Sequence, residues 1–113
     1  MKIKIALIGK GNVGTCFLHL LKENSDIIRE NFNLNCKLVA VFEYDGALIN
    51  NDGIDINNLL DNGTNFRESQ FWKKNVKAKD LISKLDINVI IEATPTNPNT
   101  GEPALTHIIE ALN

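Results

Sequence analysis

Three glycines close to the N-terminus have the spacing of a phosphate-binding turn. Residues Gly9–Gly14 read GKGNVG, which matches G-x-G-x-x-G. In such a turn the first glycine allows a sharp bend, the second lets a pyrophosphate approach the backbone, and the third lets a helix pack closely. The N–H groups at the start of that helix attract phosphate charge. The predicted phosphate-binding residues are Gly9, Gly11, Asn12, Val13 and Gly14.

The elements around this turn make the prediction more specific. Lys2–Ile8 is a strand that becomes continuously apolar, and a helical period runs from Val13 towards Asn31. A strand, the glycine turn and a helix in that order are what a dinucleotide-binding fingerprint requires. A P-loop is excluded because the chain contains no G-x-x-x-x-G-K-[ST] segment. We expect the helix to bury one stripe: Val13, Cys16, Phe17, Leu20 and Leu21.

An acidic residue ends the second predicted strand, Lys37–Glu43. It lies further from the glycines than the usual interval of about 20 residues, because the first helix is long. A carboxylate at this position accepts hydrogen bonds from the adenosine ribose and repels a 2′-phosphate. Glu43 therefore favours NAD over NADP. Asp45 is the competing candidate, and Lys10 could soften the preference by holding an extra phosphate.

The remaining chain continues the alternation of strands and helices. Ala78–Leu85 is a predicted helix, Ile87–Glu92 a third strand, and Pro103 suits the first turn of a last helix. Asp55 could cap a short helix through Leu60. This rhythm predicts an α/β fold, a Rossmann-type parallel sheet with helices on both faces.

One stretch of the chain, from Thr64 to Lys77, is poorly patterned. Its aromatic residues Phe66, Phe71 and Trp72 are interpreted as pinning a loop or short helix to the body. Stacking on nucleic acid is disfavoured because the sequence has no basic patch.

Composition excludes several classes of protein. The 113 residues carry a net charge of −2, which argues against a nucleic-acid partner. The apolar runs are too short to span a bilayer, so no membrane partner is expected. Two cysteines, Cys16 and Cys36, are too few for a disulfide framework and are interpreted as reduced thiols in a cytoplasmic protein, Cys16 within the core.

No catalytic or metal-binding set is predicted in these residues. His19 and His107 lack a carboxylate or cysteine at ligand spacing, so both are interpreted as surface residues. Glu92 and Glu102 could form a catalytic pair, but capping of a strand end or support of a cofactor loop is the simpler interpretation.

A more specific pattern begins at Glu92. The segment EATPTN, followed by TGEPA at Thr100–Ala104 and a helix, resembles the homoserine dehydrogenases. The resemblance covers essentially the whole chain. It implies that Gly9–Gly14 binds the pyrophosphate and that Glu43 faces the adenosine ribose. It also implies that the nicotinamide side of the cofactor is lined by Thr94, Pro95 and Thr96.

The resemblance also implies a reaction and further segments. The family interconverts homoserine and aspartate 4-semialdehyde with NAD(P), on the route to threonine, methionine and isoleucine. Its catalytic lysine belongs to an N-K-G-P segment that does not occur here. We expect residues 1–113 to be a partial NAD(P)-binding domain, incomplete at its C-terminal sheet edge, lacking the substrate region and inactive alone. The complete enzyme would take a small amino-acid substrate and form a homodimer.

Two alternative functions remain open from the sequence. The chain could be a non-catalytic module that senses NAD(H), or part of a dehydrogenase for another small amino acid or aldehyde. An exposed sheet edge predicts that the isolated chain self-associates, is marginally stable, or both.

Overall fold

The computed structural model describes residues 1–61, 65–94 and 99–112. In chain order the main elements are β1 (Lys2–Ile8), α1 (Asn12–Phe32), β2 (Asn35–Glu43), β3 (Gly46–Ile49), α2 (Ile56–Leu60), β4 (Trp72–Lys74), α3 (Ala78–Leu81), β5 (Val89–Glu92) and α4 (Ala104–Leu112). A 3-10 turn at Phe66–Glu68 precedes β4, and another at Ile82–Lys84 continues α3. The predicted α/β fold is confirmed.

The five strands form one mixed sheet in the order β4-β3-β2-β1-β5. β1 pairs in parallel with β2 and β5, whereas β3 pairs antiparallel with both β2 and β4. The expectation of a parallel sheet is therefore wrong for β3 and β4. Glu43 pairs with Gly46, so the connection between β2 and β3 is a tight turn. A turn this short can join only antiparallel strands.

Apolar residues cover both faces of the sheet. Along β1, Ile5 and Leu7 belong to one cluster and Ala6 and Ile8 to the other, because successive side chains point to opposite faces. Helices α1 and α2 close the first cluster. Helix α3 and its 3-10 continuation close the second, and α4 packs against both of these and β5. Helices on both faces are thus confirmed.

Helix α1 buries the predicted stripe only in part, since Leu21 is buried and Phe17 packs against the core as expected. Its buried residues are Gly14, Leu18 and Leu21, while Val13 and Leu20 are 68% and 59% exposed. The interpretation of Cys16 as a core residue is also wrong, because its side chain is exposed. Gly14 decides the orientation of the helix, since this residue lies against the glycine turn and brings Leu18 and Leu21 onto the sheet with it.

The poorly patterned stretch contains a strand, β4, that the sequence does not predict. Phe66 and Trp72 pack against the core and against each other, with their ring centroids 5.6 Å apart in a T-shaped arrangement. Pinning to the body is confirmed for these two rings, whereas Phe71 is exposed. Thr64 lies outside the described residues. No helix in the described part of the chain is long and apolar enough to cross a membrane.

Candidate functional site

A cleft of about 810 Å³ opens at the carboxyl ends of β1, β2 and β5. Here the chain crosses from one side of β1 to the other, which is where ligands bind in open α/β sheets. Its lining combines the glycine turn, the ends of β2 and β5, and residues of α3 and α4. The lining residues are Ile8, Gly9, Lys10, Gly11, Asn12, Val13, Phe42, Glu43, Tyr44, Lys77, Ala78, Lys79, Ala93, Thr94, Pro103 and His107.

The three glycines of the turn have three different surroundings. Gly9 has φ +90°, and a Cβ there would lie 2.9 Å from the carbonyl oxygen of Ala93. A Cβ on Gly14 would lie 2.1 Å from the carbonyl oxygen of Gly9. A Cβ on Gly11 would meet nothing within 4 Å. Folding therefore demands glycine at positions 9 and 14, while position 11 borders open space at the mouth of the cleft.

The N-terminus of α1 faces the same space. No side chain caps the helix, and the N–H of Thr15 bonds to the carbonyl oxygen of Gly11 at 2.8 Å. The N–H groups that precede Thr15 in the first turn have no intrahelical acceptor. Together with the positive end of the helix dipole, they suit an anion such as a pyrophosphate.

The two acidic candidates for ribose binding have different roles. Glu43 is half-buried at the end of β2, and its Oε1 accepts the backbone N–H of Lys10 at 2.7 Å. Asp45 instead forms a two-pronged ion pair with Arg67, with Oδ2 to Nε at 2.7 Å and Oδ1 to Nη2 at 3.0 Å. Asp45 is not part of the cleft lining, so Glu43 is the carboxylate available to a ligand there.

Near the Glu43 end of the cleft, aromatic rings lie beside the cations of Arg67 and Lys10. The guanidinium of Arg67 lies 4.7 Å from the ring centroid of Phe66 and 5.4 Å from that of Trp72. The ammonium of Lys10 lies 5.6 Å from the Phe66 centroid. The hydrogen bond from Arg67 is the main cause that holds the pKa of Asp45 below its usual 3.8.

The end of β5 carries a polar cluster that the sequence reasoning missed. Oε1 of Glu92 accepts the backbone N–H of Thr94 at 2.8 Å and also its hydroxyl. Oε2 of the same carboxylate lies 2.5 Å from Nδ1 of His107. The interpretation of His107 as a surface residue is wrong, because its side chain is only 13% exposed and has a carboxylate partner. His19 is exposed, as predicted.

No local signal could have paired these residues. His107 lies 15 residues after Glu92 in the sequence, and the two meet because α4 packs back against β5. Glu102, by contrast, accepts the hydroxyl of Thr106 at 2.6 Å and so supports the start of α4. The simpler interpretation of both carboxylates, as caps and loop supports, agrees with these contacts.

The predicted cofactor residues come together only in part within the described chain. The residues of this set that line the one cleft are Gly9, Gly11, Asn12, Val13, Glu43 and Thr94. Gly14 is buried within α1 and does not line the cleft. Pro95 and Thr96 lie outside the described residues, as does Asn97.

A second cleft, of about 600 Å³, lies between α2 and the segment before β4. Two of its polar side chains already bond to neighbouring backbone. Oδ1 of Asp55 accepts the N–H of Asn57, which confirms the predicted cap of α2, and Oδ1 of Asn65 accepts the N–H of Arg67. These two groups stabilise local structure.

Comparison with known proteins gives a relative in sequence. The chain is 32% identical to a homoserine dehydrogenase of Methanocaldococcus jannaschii, over 96% of this chain and 33% of that protein. It therefore spans about a third of the length of the relative that it matches. No protein-family model matches the sequence.

Solved structures share the fold. A protein from Archaeoglobus fulgidus, assigned as a homoserine dehydrogenase, superposes with a TM-score of 0.70 at 24% identity, over 97% of this chain and 31% of that one. A hyperthermophilic archaeal homoserine dehydrogenase in complex with NADPH gives 0.65 at 17% identity, over 83% of this chain and 29% of that one. The resemblance to the homoserine dehydrogenases, noted in the EATPTN and GEPA segments, is thus confirmed over the part of those proteins that this chain spans.

Proposed function

We propose that this chain binds a nicotinamide dinucleotide in the cleft and is the cofactor-binding part of a homoserine dehydrogenase. The observation that carries the proposal is the contrast among the three glycines. Gly9 and Gly14 are required by their own backbone contacts, whereas Gly11 borders empty space in front of an uncapped helix end. A turn needs no glycine there for folding, but a pyrophosphate approaching the backbone does.

We assign the adenosine ribose to Glu43 and propose a preference for NAD over NADP. Oε1 of Glu43 is engaged with the turn, and Oε2 is available for a ribose hydroxyl. The guanidinium of Arg67 is neutralised by Asp45, which reduces its attraction for a 2′-phosphate. Lys10, Lys77 and Lys79 also line the cleft, and their positive charge would attract a 2′-phosphate. They therefore limit the preference for NAD over NADP. The NADPH complex of the archaeal neighbour supports the dinucleotide class.

We assign the nicotinamide side to Thr94, with Pro95 and Thr96. Bound there, the nicotinamide would carry the hydride between homoserine and aspartate 4-semialdehyde. This chain would supply binding and orientation, and substrate, catalytic lysine and dimerisation surface would belong to other segments of the enzyme. Residues 1–113 alone are expected to turn over no homoserine. The free cysteines, Cys16 and Cys36, support a cytoplasmic location.

Titration of the chain with NADH and NADPH tests the proposal. We expect Gly11→Ala to weaken both cofactors at least tenfold, because a methyl group would stand in the path of the pyrophosphate. Its unfolding free energy should fall by no more than about 1 kcal/mol, the typical cost of alanine at an N-cap position.

The variant Glu43→Gln tests the ribose assignment. Its side-chain carbonyl can still accept the N–H of Lys10, so the turn keeps its shape while the negative charge is lost. We expect weaker NADH and stronger NADPH binding, and the exposed Glu23→Gln of α1 serves as the control. Equal affinity for the two cofactors, unchanged by Glu43→Gln, would contradict the assignment.

A further inference from the structure

The contact between Glu92 and His107 has no role in the proposed function. The two side chains are 15% and 13% exposed, and Oε2 lies 2.5 Å from Nδ1. His107 lines the cleft, whereas Glu92 lies behind it and is absent from the lining. The imidazole therefore stands between a carboxylate and the space that a ligand would occupy.

The carboxylate determines which ring nitrogen carries the proton. An ionised carboxylate only accepts hydrogen bonds, so Nδ1 of His107 must be the donor. In the neutral imidazole, Nε2 then holds a lone pair. Nε2 has no hydrogen-bond partner in the part of the chain that the structure describes. With the imidazole neutral, Nε2 is an acceptor fixed at the end of the cleft opposite Glu43.

The position of this acceptor selects one half of the ligand. β1 lies between β2 and β5 in the sheet, so the glycine turn that follows β1 separates the Glu43 end of the cleft from the Thr94 and His107 end. With the pyrophosphate on the turn and the adenosine ribose at Glu43, the nicotinamide half falls beside His107. That half offers ribose hydroxyls and a carboxamide NH₂ as donors.

We propose that His107 contacts the nicotinamide half of the dinucleotide through Nε2, and that Glu92 is its positioning residue. The inference rests on the proposed function, because it needs a dinucleotide in the cleft. Thr94 takes part indirectly, since its N–H and hydroxyl both bond to Oε1 of Glu92 and fix that carboxylate.

A comparison of NADH with ADP shows which half of the dinucleotide His107 contacts. NADH contains the nicotinamide half and ADP lacks it, so affinity is measured for both on the 113-residue chain. His107→Asn keeps an N–H donor close to the position of Nδ1, which preserves the bond to Glu92, but removes Nε2. We expect NADH to bind roughly three- to tenfold more weakly, the value of one neutral hydrogen bond, and ADP to bind as before. His19→Asn should change neither affinity.

The positioning role has a spectroscopic readout. The chain has two histidines, so ¹⁵N-edited imidazole spectra are assigned with the His19→Asn variant. We expect the Nδ1–H tautomer of His107 in the wild type. Glu92→Gln would direct its amide NH₂ towards Nδ1 and shift the population to the Nε2–H tautomer, with the same selective loss of NADH affinity. NADH, but not ADP, should shift the Nε2 resonance of His107.

The outcomes separate the two proposals. If neither NADH nor ADP binds the wild-type chain, the proposed function fails and this inference fails with it. If both bind but His107→Asn weakens them equally, or weakens neither, the inference is overturned while dinucleotide binding stands. An unchanged tautomer in Glu92→Gln together with unchanged NADH affinity would remove the positioning role.

Discussion

At the scale of single residues, amino acids of the same kind have different roles in and around this cleft. The three glycines of the turn look equivalent in the sequence, yet only Gly9 and Gly14 are required by neighbouring backbone. The same contrast separates two acids that are close in sequence. Glu43 faces the cleft and holds the turn through Lys10, while Asp45 is bound to Arg67. In both comparisons, the role of the residue depends on which groups the fold places beside it.

The ion pair between Asp45 and Arg67 predicts that the stability of the fold depends on pH. The pKa of Asp45 is lowered in the folded chain, chiefly by the hydrogen bond from Arg67. A lowered pKa stabilises the fold above the unfolded value of about 4 and loses that effect as the pH falls through the folded value. Asp45→Asn should therefore be less stable than the wild type at pH 7, and this difference should shrink towards pH 3.

Urea unfolding at the two pH values, followed by the fluorescence of the single tryptophan, Trp72, measures the difference. Asp52→Asn is the matched control, because Asp52 is exposed and forms no ion pair among the described residues. A difference between Asp45→Asn and the wild type that stays constant with pH would contradict the linkage.

At the scale of elements, the pattern of α1 gives the right period but a face rotated from the buried one, with Phe17 and Leu21 common to both. Leu18 lies outside the predicted stripe and Leu20 within it, and hydrophobic periodicity alone does not say which of them meets the sheet. The close approach at Gly14 settles this, since it turns Leu18 inwards and leaves Leu20 outside. Similarly, β3 and β4 are too short for an alternating pattern to be distinguished from a loop, so the sequence does not predict the antiparallel hairpin.

A pair of matched substitutions tests the orientation of α1. Leu18 is fully buried, so Leu18→Ala should lower the free energy of unfolding by about 2–5 kcal/mol. Leu20 is 59% exposed, and Leu20→Ala should cost no more than about 0.5 kcal/mol. Both changes have the same helix propensity effect, so chemical denaturation reports the difference in burial. Comparable losses at the two positions would show that the helix is rotated.

At the scale of the whole molecule, the sheet has unlike edges. β4 lies at one edge, and β5 lies at the other with a neighbour only on its β1 side among the described strands. Beside β5, helix α4 exposes an apolar surface formed by Leu105, Ile108, Ile109 and Leu112. An unpaired edge next to such a surface favours pairing with a second copy of the chain.

Self-association of the isolated chain through this side is therefore expected. Ile109→Lys should reduce the apparent mass in sedimentation velocity at high protein concentration. Ile27→Lys on α1 is the matched control, because Ile27 and Ile109 are 52% and 50% exposed. The prediction fails if the wild-type chain stays monomeric at all concentrations, or if both substitutions act alike.

Features whose cause is local follow from short stretches of sequence. The glycine turn after β1, the capping Asp55 of α2 and the strand ending at Glu43 follow from neighbouring residues, so their patterns could be predicted. The rotation of α1, the ion pair of Asp45 with Arg67 and the contact of His107 with Glu92 are visible only in the folded chain. Those outcomes depend on contacts between segments far apart in the chain, which packing creates and no short pattern encodes.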